Sequence, residues 1–151
     1  MKSLKFLSVL FILSAVVFSS CSKQGKLEKR LDGKWNMDLV TYEERVNGIV
    51  DPASKESYSN FGEVLLVRGD KTNTGTLTMT FLGQTVIQTI TNWTNTEDKL
   101  TIVSTDGVTS ETTVFDIITN EKDKQEWTTT QTTTNGGITT VESTNYKLSR
   151  K

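Results

Sequence analysis

Leu77, Met79 and Phe81 alternate with Thr76, Thr78 and Thr80, and this period of two constrains the fold more than any other feature. A pleated strand sends successive side chains to opposite faces, so the stretch has one apolar and one hydroxylated face. Threonine suits the wet face because its branched Cβ fits an extended backbone while its hydroxyl stays in water. Trp35, Met37 and Leu39 alternate with Lys34, Asn36 and Asp38 in the same way. Further strands are predicted over Glu63 to Arg68, Ile87 to Trp93, Leu100 to Ser104, Thr112 to Ile118, Glu126 to Thr134 and Ile138 to Leu148, about eight in all. No 3.6-residue periodicity lasts long enough for a major helix.

Turn residues separate these runs: Gly69-Asp70, Leu82-Gly83, Asp106-Gly107 and Asn135-Gly136-Gly137, with a longer polar turn from Asn95 to Asp98. Connections this short make neighbouring strands antiparallel. The exception is Glu43 to Asn60, read as a long first connection that serves as a lid or a surface insertion. Within it, Asp51 before Pro52 is an N-cap followed by a first helical position, predicting one helical turn near Ala53 to Tyr58. An eight-strand meander can close on itself and so remove its edges. The expected fold class is therefore all-β, an eight-stranded antiparallel up-and-down barrel.

The first 21 residues have another character. Lys2 and Lys5 precede an apolar run from Phe6 to Phe18, then Ser19, Ser20 and Cys21, the only cysteine of the chain. The run is shorter than the ~20 apolar residues that a bilayer crossing needs and has the length of a signal core. The arrangement resembles a bacterial lipoprotein signal. That resemblance implies removal of residues 1–20, acylation of Cys21 with chains such as palmitate, and anchoring in the cell envelope. Ser22 after the cysteine resembles lipoproteins forwarded to the outer membrane, facing the periplasm. The expected organisation is a signal over 1–20, a lipidated tether over 21–30 and a barrel domain over 31–151. An acylated Cys21 leaves no thiol for a disulfide, a redox pair or a metal. Lys23, Lys26, Lys29 and Arg30 form the one basic stretch, diluted by Glu28 and Asp32 and read as a solvated spacer. With a formal charge of −1 over the whole chain, no basic face is expected for nucleic acid.

Gly33-Lys34-Trp35 opens the first strand and matches the Gly-any-Trp signature of the lipocalin-like (calycin) family, which the chain resembles. The resemblance covers about Leu31 to Lys151 and implies that Trp35 closes the barrel floor with a basic residue packed across it, Lys147 or Arg150; Gly33, Trp35 and Arg150 are the expected closing set. The chain departs from the family in lacking the second signature, a Thr-Asp turn at the open end, and in the threonine content of its strands. Small lipocalin-like lipoproteins of unassigned function are the nearer likeness.

Eight strands enclose an interior that either holds one small ligand or is filled by side chains. The candidate lining is Leu77, Met79, Phe81, Ile90, Trp93, Trp127 and Tyr146, aromatic rings and soft methionines suited to an adaptable apolar pocket. Glu142 and Asp116 share strand faces with apolar residues, and either is a candidate to orient a ligand near the rim. The chain has no histidine, so it lacks a Ser-His-Asp arrangement and imidazole ligands for zinc. No catalytic, cofactor or metal site is expected. Two functions are open: a membrane-anchored binder of a small, largely apolar ligand, or a non-catalytic structural or protein-interaction module with a filled core.

Overall fold

The period-two pattern folds into a closed antiparallel barrel in the computed structural model of the protein, which describes residues 23–151. The expected signal, its expected cleavage point and Cys21 lie outside the described residues. In chain order the elements are α1 (Lys23–Leu31), β1 (Gly33–Val46), β2 (Ile49–Val50), a 3-10 turn (Pro52–Ser54), β3 (Glu56–Val67), β4 (Thr74–Phe81), β5 (Gln84–Asn95), β6 (Lys99–Thr105), β7 (Ser110–Asn120), β8 (Lys124–Asn135) and β9 (Ile138–Arg150). Each strand from β3 onward pairs with the next, and β9 returns to pair with β1. Eight strands therefore form the barrel. The two-residue β2 is an appendage that pairs only with the end of β1, at Arg45↔Val50 and Val46↔Ile49.

The long first connection is corrected by the structure. Most of Glu43 to Asn60 is strand: β1 runs on to Val46 and β3 starts at Glu56. These strand ends are mostly polar, with only Val46 and Tyr58 as large apolar or aromatic residues among Glu43 to Val46 and Glu56 to Asn60, so the alternation that marks a strand is lost. The helical turn is present but short. It covers Pro52–Ser54, with the Asp51 carboxylate accepting from the Ala53 amide at 2.9 Å.

Bulges set which side chains face inward. The register between β1 and β9 slips between Met37 and Leu39, between β5 and β6 at Ile90/Asn92, and between β7 and β8 at Ile117/Thr119. An extra residue reverses the alternation beyond it. Trp35 and Met37 point in, but the next buried position is Val40 and not Leu39. On β5, Ile90 and Trp93 are both buried despite their odd spacing. On β7 the expected phase is reversed: Val114 and Ile118 are 46% and 61% exposed, and Phe115 is the buried residue.

One end of the barrel is sealed by α1. Residues 21–30 read as a solvated spacer in the sequence, but from Lys23 the chain is helical, and Leu27 and Leu31 are buried in the core. These leucines sit four apart and so share one helix face. The helix is bound to each loop at its end of the barrel. Glu28 pairs with Arg68 of the β3–β4 loop at 3.5 Å, and the Gln24 and Asn95 side chains exchange hydrogen bonds with each other's backbone at the end of β5. Arg30 donates to the Asn120 carbonyl at the end of β7. Lys29 and Arg30 in the last turn also suit the negative end of the helix dipole.

Beneath α1 lies the expected closing set. The Arg150 guanidinium carbon is 4.4 Å from the centre of the Trp35 ring. The same guanidinium donates to the carbonyls of Arg30, Asp32 and Lys122, while the Trp35 indole N–H donates to the Leu31 carbonyl at 2.8 Å. Helix C-termini leave carbonyls unpaired, and these two side chains satisfy several of them. Gly33 is required here: its φ is +126°, and a Cβ would stand 2.5 Å from Arg150 Nη1. Lys147 is exposed and takes no part.

Candidate functional site

Above this floor the barrel is hollow. Trp35, Leu66, Trp93, Leu100 and Leu148 fill the lower interior without exposure above 2%. The indole N–H groups there are paired, Trp93 with the Thr74 carbonyl at 3.1 Å and Trp127 with Gln125 at 3.4 Å. Higher up, a cavity of about 290 Å³ receives side chains from every one of the eight barrel strands. Its lower wall is apolar, built from Met37, Val64, Leu77, Met79, Ile102, Phe115 and Trp127. Its upper wall is polar, with Gln88, Ser104, Thr113, Thr129, Gln131 and Thr144, and it ends in Tyr42, Glu111 and Glu142. Because α1 closes the floor, the mouth of the cavity lies at the opposite end, among the β4–β5, β6–β7 and β8–β9 turns.

The aromatic wall is a packed unit. Phe115 meets Tyr146 edge-on at 5.6 Å between ring centres and Trp127 at 5.8 Å, within the preferred range for such pairs. Of the seven side chains expected to line a pocket, the structure brings Leu77, Met79, Trp127 and Tyr146 to the cavity. The other three lie elsewhere. Ile90 and Trp93 are buried below the cavity as part of the plug. Phe81 sits on the rim, 44% exposed, with its ring edge-on to Tyr58 at 5.1 Å. The cause is barrel tilt: positions on one strand face lie at different heights in the lumen, so a shared face does not make a shared pocket.

The two candidate carboxylates also separate. Glu142 lines the cavity mouth. Asp116 lies outside the barrel, hydrogen-bonded to Lys99, because the phase of β7 is the reverse of the expected one. Glu111 takes the inward place on that strand instead. Reading the phase from Phe115, the only aromatic residue of β7, would have found Glu111 and Thr113.

Charge at the mouth is uncompensated. Glu44 lies directly across from Glu142 in the β1–β9 pairing, and neither forms an ion pair among the described residues. Tyr42 reports this field: burial first, then the charges of Glu142 and Glu44, hold its hydroxyl above the ordinary tyrosine range. Tyr146 is raised as well, chiefly by burial and next by Glu111. Among the described residues no cluster of metal-ligating side chains is found. The arrangement suits non-covalent binding: an apolar pocket, a ring of neutral hydrogen-bonding groups, and carboxylates at the entrance. Compared with known proteins, the chain matches no protein-family model and no curated sequence, so its likeness to the calycins rests on the closed eight-stranded barrel and on the Gly33, Trp35 and Arg150 arrangement.

Proposed function

We propose that this protein is a non-catalytic, lipid-anchored lipocalin-like module of the bacterial cell envelope that binds one small ligand with a largely apolar body in its barrel. The observation that carries this reading is the cavity of about 290 Å³, roofless at one end and sealed by α1, Trp35 and Arg150 at the other. A filled barrel would instead suit the interaction-module reading. Here the lower half is solid and the upper half surrounds the cavity, with an aromatic and methionine wall where an apolar ligand gains most by leaving water.

The anchoring half of the proposal rests on the sequence: the basic start, the short apolar run and Cys21. Cys21 stands two residues before α1, a span of at most about 7 Å. Acylation there sets the sealed end against the bilayer and turns the mouth to the aqueous side. Two or more acyl chains make such an anchor stable.

Native mass spectrometry of the protein purified from its own host tests the binding half. A small molecule released on denaturation, together with uptake of a neutral apolar probe, is the expected result; an empty protein that takes up no probe contradicts it. Metabolic labelling with a fatty acid tests the anchoring half. Cys21→Ala is expected to abolish the label, and unchanged label would remove Cys21 as the tether.

A further inference from the structure

The mouth of the cavity specifies more than an apolar ligand. Glu111 and Glu142 line it, both exposed, and among the described residues no lysine or arginine does. The strand ends and loops around it add Glu44, Asp51, Glu56 and Asp106. Against these stand Arg45 and Lys55, and Arg45 is already paired with Glu43 at 2.8 Å. Most other cations lie toward the sealed end, where Lys34 and Lys151 share Glu63 and Arg150 caps the helix. The barrel is therefore polarised along its axis, anionic where the cavity opens. A cleft lined by charge of one sign concentrates ligands of the opposite sign and speeds their entry.

We propose that the ligand is an amphiphilic organic cation, seated with its apolar part against Trp127, Phe115, Met79 and Leu77 and its ammonium-type group between Glu111 and Glu142. This rests on the lumen-binding reading above and adds the sign of the ligand's charge. A positive head leaves the deep wall free of buried charge, which is costly without a partner, and keeps the head in a solvated, anionic rim. The rings of Tyr42 and Tyr146, which both reach the cavity, add an attraction for a cation that an anion or a neutral head does not receive. An anionic amphiphile of the same shape meets like charge at the entrance.

Octylammonium, octanol and octanoate share one apolar body and differ only in the head, so calorimetric titration of the full-length protein with each at neutral pH separates charge from apolar binding. Octylammonium is expected to bind about tenfold tighter than octanol, with octanoate the weakest, and the preference is expected to shrink at high salt because exposed charges are screened. Glu111→Gln and Glu142→Gln keep side-chain shape at exposed positions. Each is expected to cost octylammonium roughly threefold to fivefold, a span set by exposed charge pairs, and the pair of substitutions is expected to erase the preference while leaving octanol unchanged. Equal binding of the three probes, tightest binding of octanoate, or a preference that persists in the doubly substituted protein would overturn the cation assignment and leave lumen binding intact. Binding of none of the three would overturn both.

Discussion

The guanidinium of Arg150, near the end of β9, lies over the ring of Trp35, near the start of β1, with 4.4 Å between the guanidinium carbon and the ring centre. It joins the two strands whose pairing closes the barrel. It also fastens α1, since the same fork reaches the carbonyls of Arg30 and Asp32. Arg150→Ala removes the stacking and leaves the part-buried Asp32 carbonyl without its donor, while the exposed Arg30 and Lys122 carbonyls turn to water, at an expected cost of about 1–3 kcal/mol. Arg150→Lys keeps the charge but not the planar fork, and is expected to recover less than half. Urea unfolding of both variants checks this; full recovery by lysine would mean that charge alone matters at this position.

Leu27 tests whether α1 belongs to the domain or merely precedes it. It is fully buried, so Leu27→Ala is expected to cost about 2–5 kcal/mol. Hydrogen exchange is expected to show the helix amides protected to nearly the global stability. A loss below about 0.5 kcal/mol would return α1 to the spacer expected from its lysines.

Leu82 occupies the left-handed region at φ 50° in the β4–β5 turn and is 87% exposed. A side chain other than asparagine or glycine is strained there by about 1–2 kcal/mol. Leu82→Asn is expected to raise stability by about 0.5–1 kcal/mol, read from the denaturation midpoint. No gain would mean that the turn relaxes around leucine without strain.

Burial, with Glu111 second, holds the Tyr146 hydroxyl above the usual tyrosine range. The folded protein therefore keeps this proton at pH values where the unfolded chain has lost it, so the stabilisation is complete below about pH 10 and declines as pH rises through the folded value. In this window, at and above the unfolded tyrosine value, Tyr146→Phe is expected to flatten the alkaline fall in unfolding free energy, while Tyr42, raised for the same reason, preserves part of it. An unchanged slope would mean that the Tyr146 hydroxyl is fully solvated.

Much of the architecture is legible in the amino-acid sequence. Alternation in Leu77, Met79 and Phe81 marks a strand because a pleated backbone has only two faces, and Gly33 and Trp35, two residues apart, carry most of the closing set. The features that escape such a reading have a common physical origin. A one-residue bulge leaves no mark in composition yet exchanges the faces beyond it, which hides Val40 behind Leu39; on β7 the strand alternates regularly from Ser110 to Asp116, and Glu111 is missed because apolar Val114 and Ile118 sit on the outer face with Asp116. Height in a tilted barrel is equally invisible on a single strand, so Trp93 and Phe81 read as neighbours in a pocket that neither lines. The signal for α1 is present in Leu27 and Leu31, four apart, but the lysines of this nine-residue helix outweigh it.

The most direct test concerns the lumen itself. Thr129 lies between Trp127 and Gln131 on the cavity face of β8, half-buried. Thr129→Trp fills space instead of creating it, so the fold is expected to survive with a stability change of about 1–3 kcal/mol at most. Fluorescence titration with a neutral apolar probe is expected to saturate one site per wild-type barrel and to weaken at least about tenfold in Thr129→Trp, as a blocked cavity loses the apolar contact area that the probe would bury. A wild-type barrel that binds no probe, or a blocked barrel that binds as well as the wild type, would contradict ligand binding in the lumen.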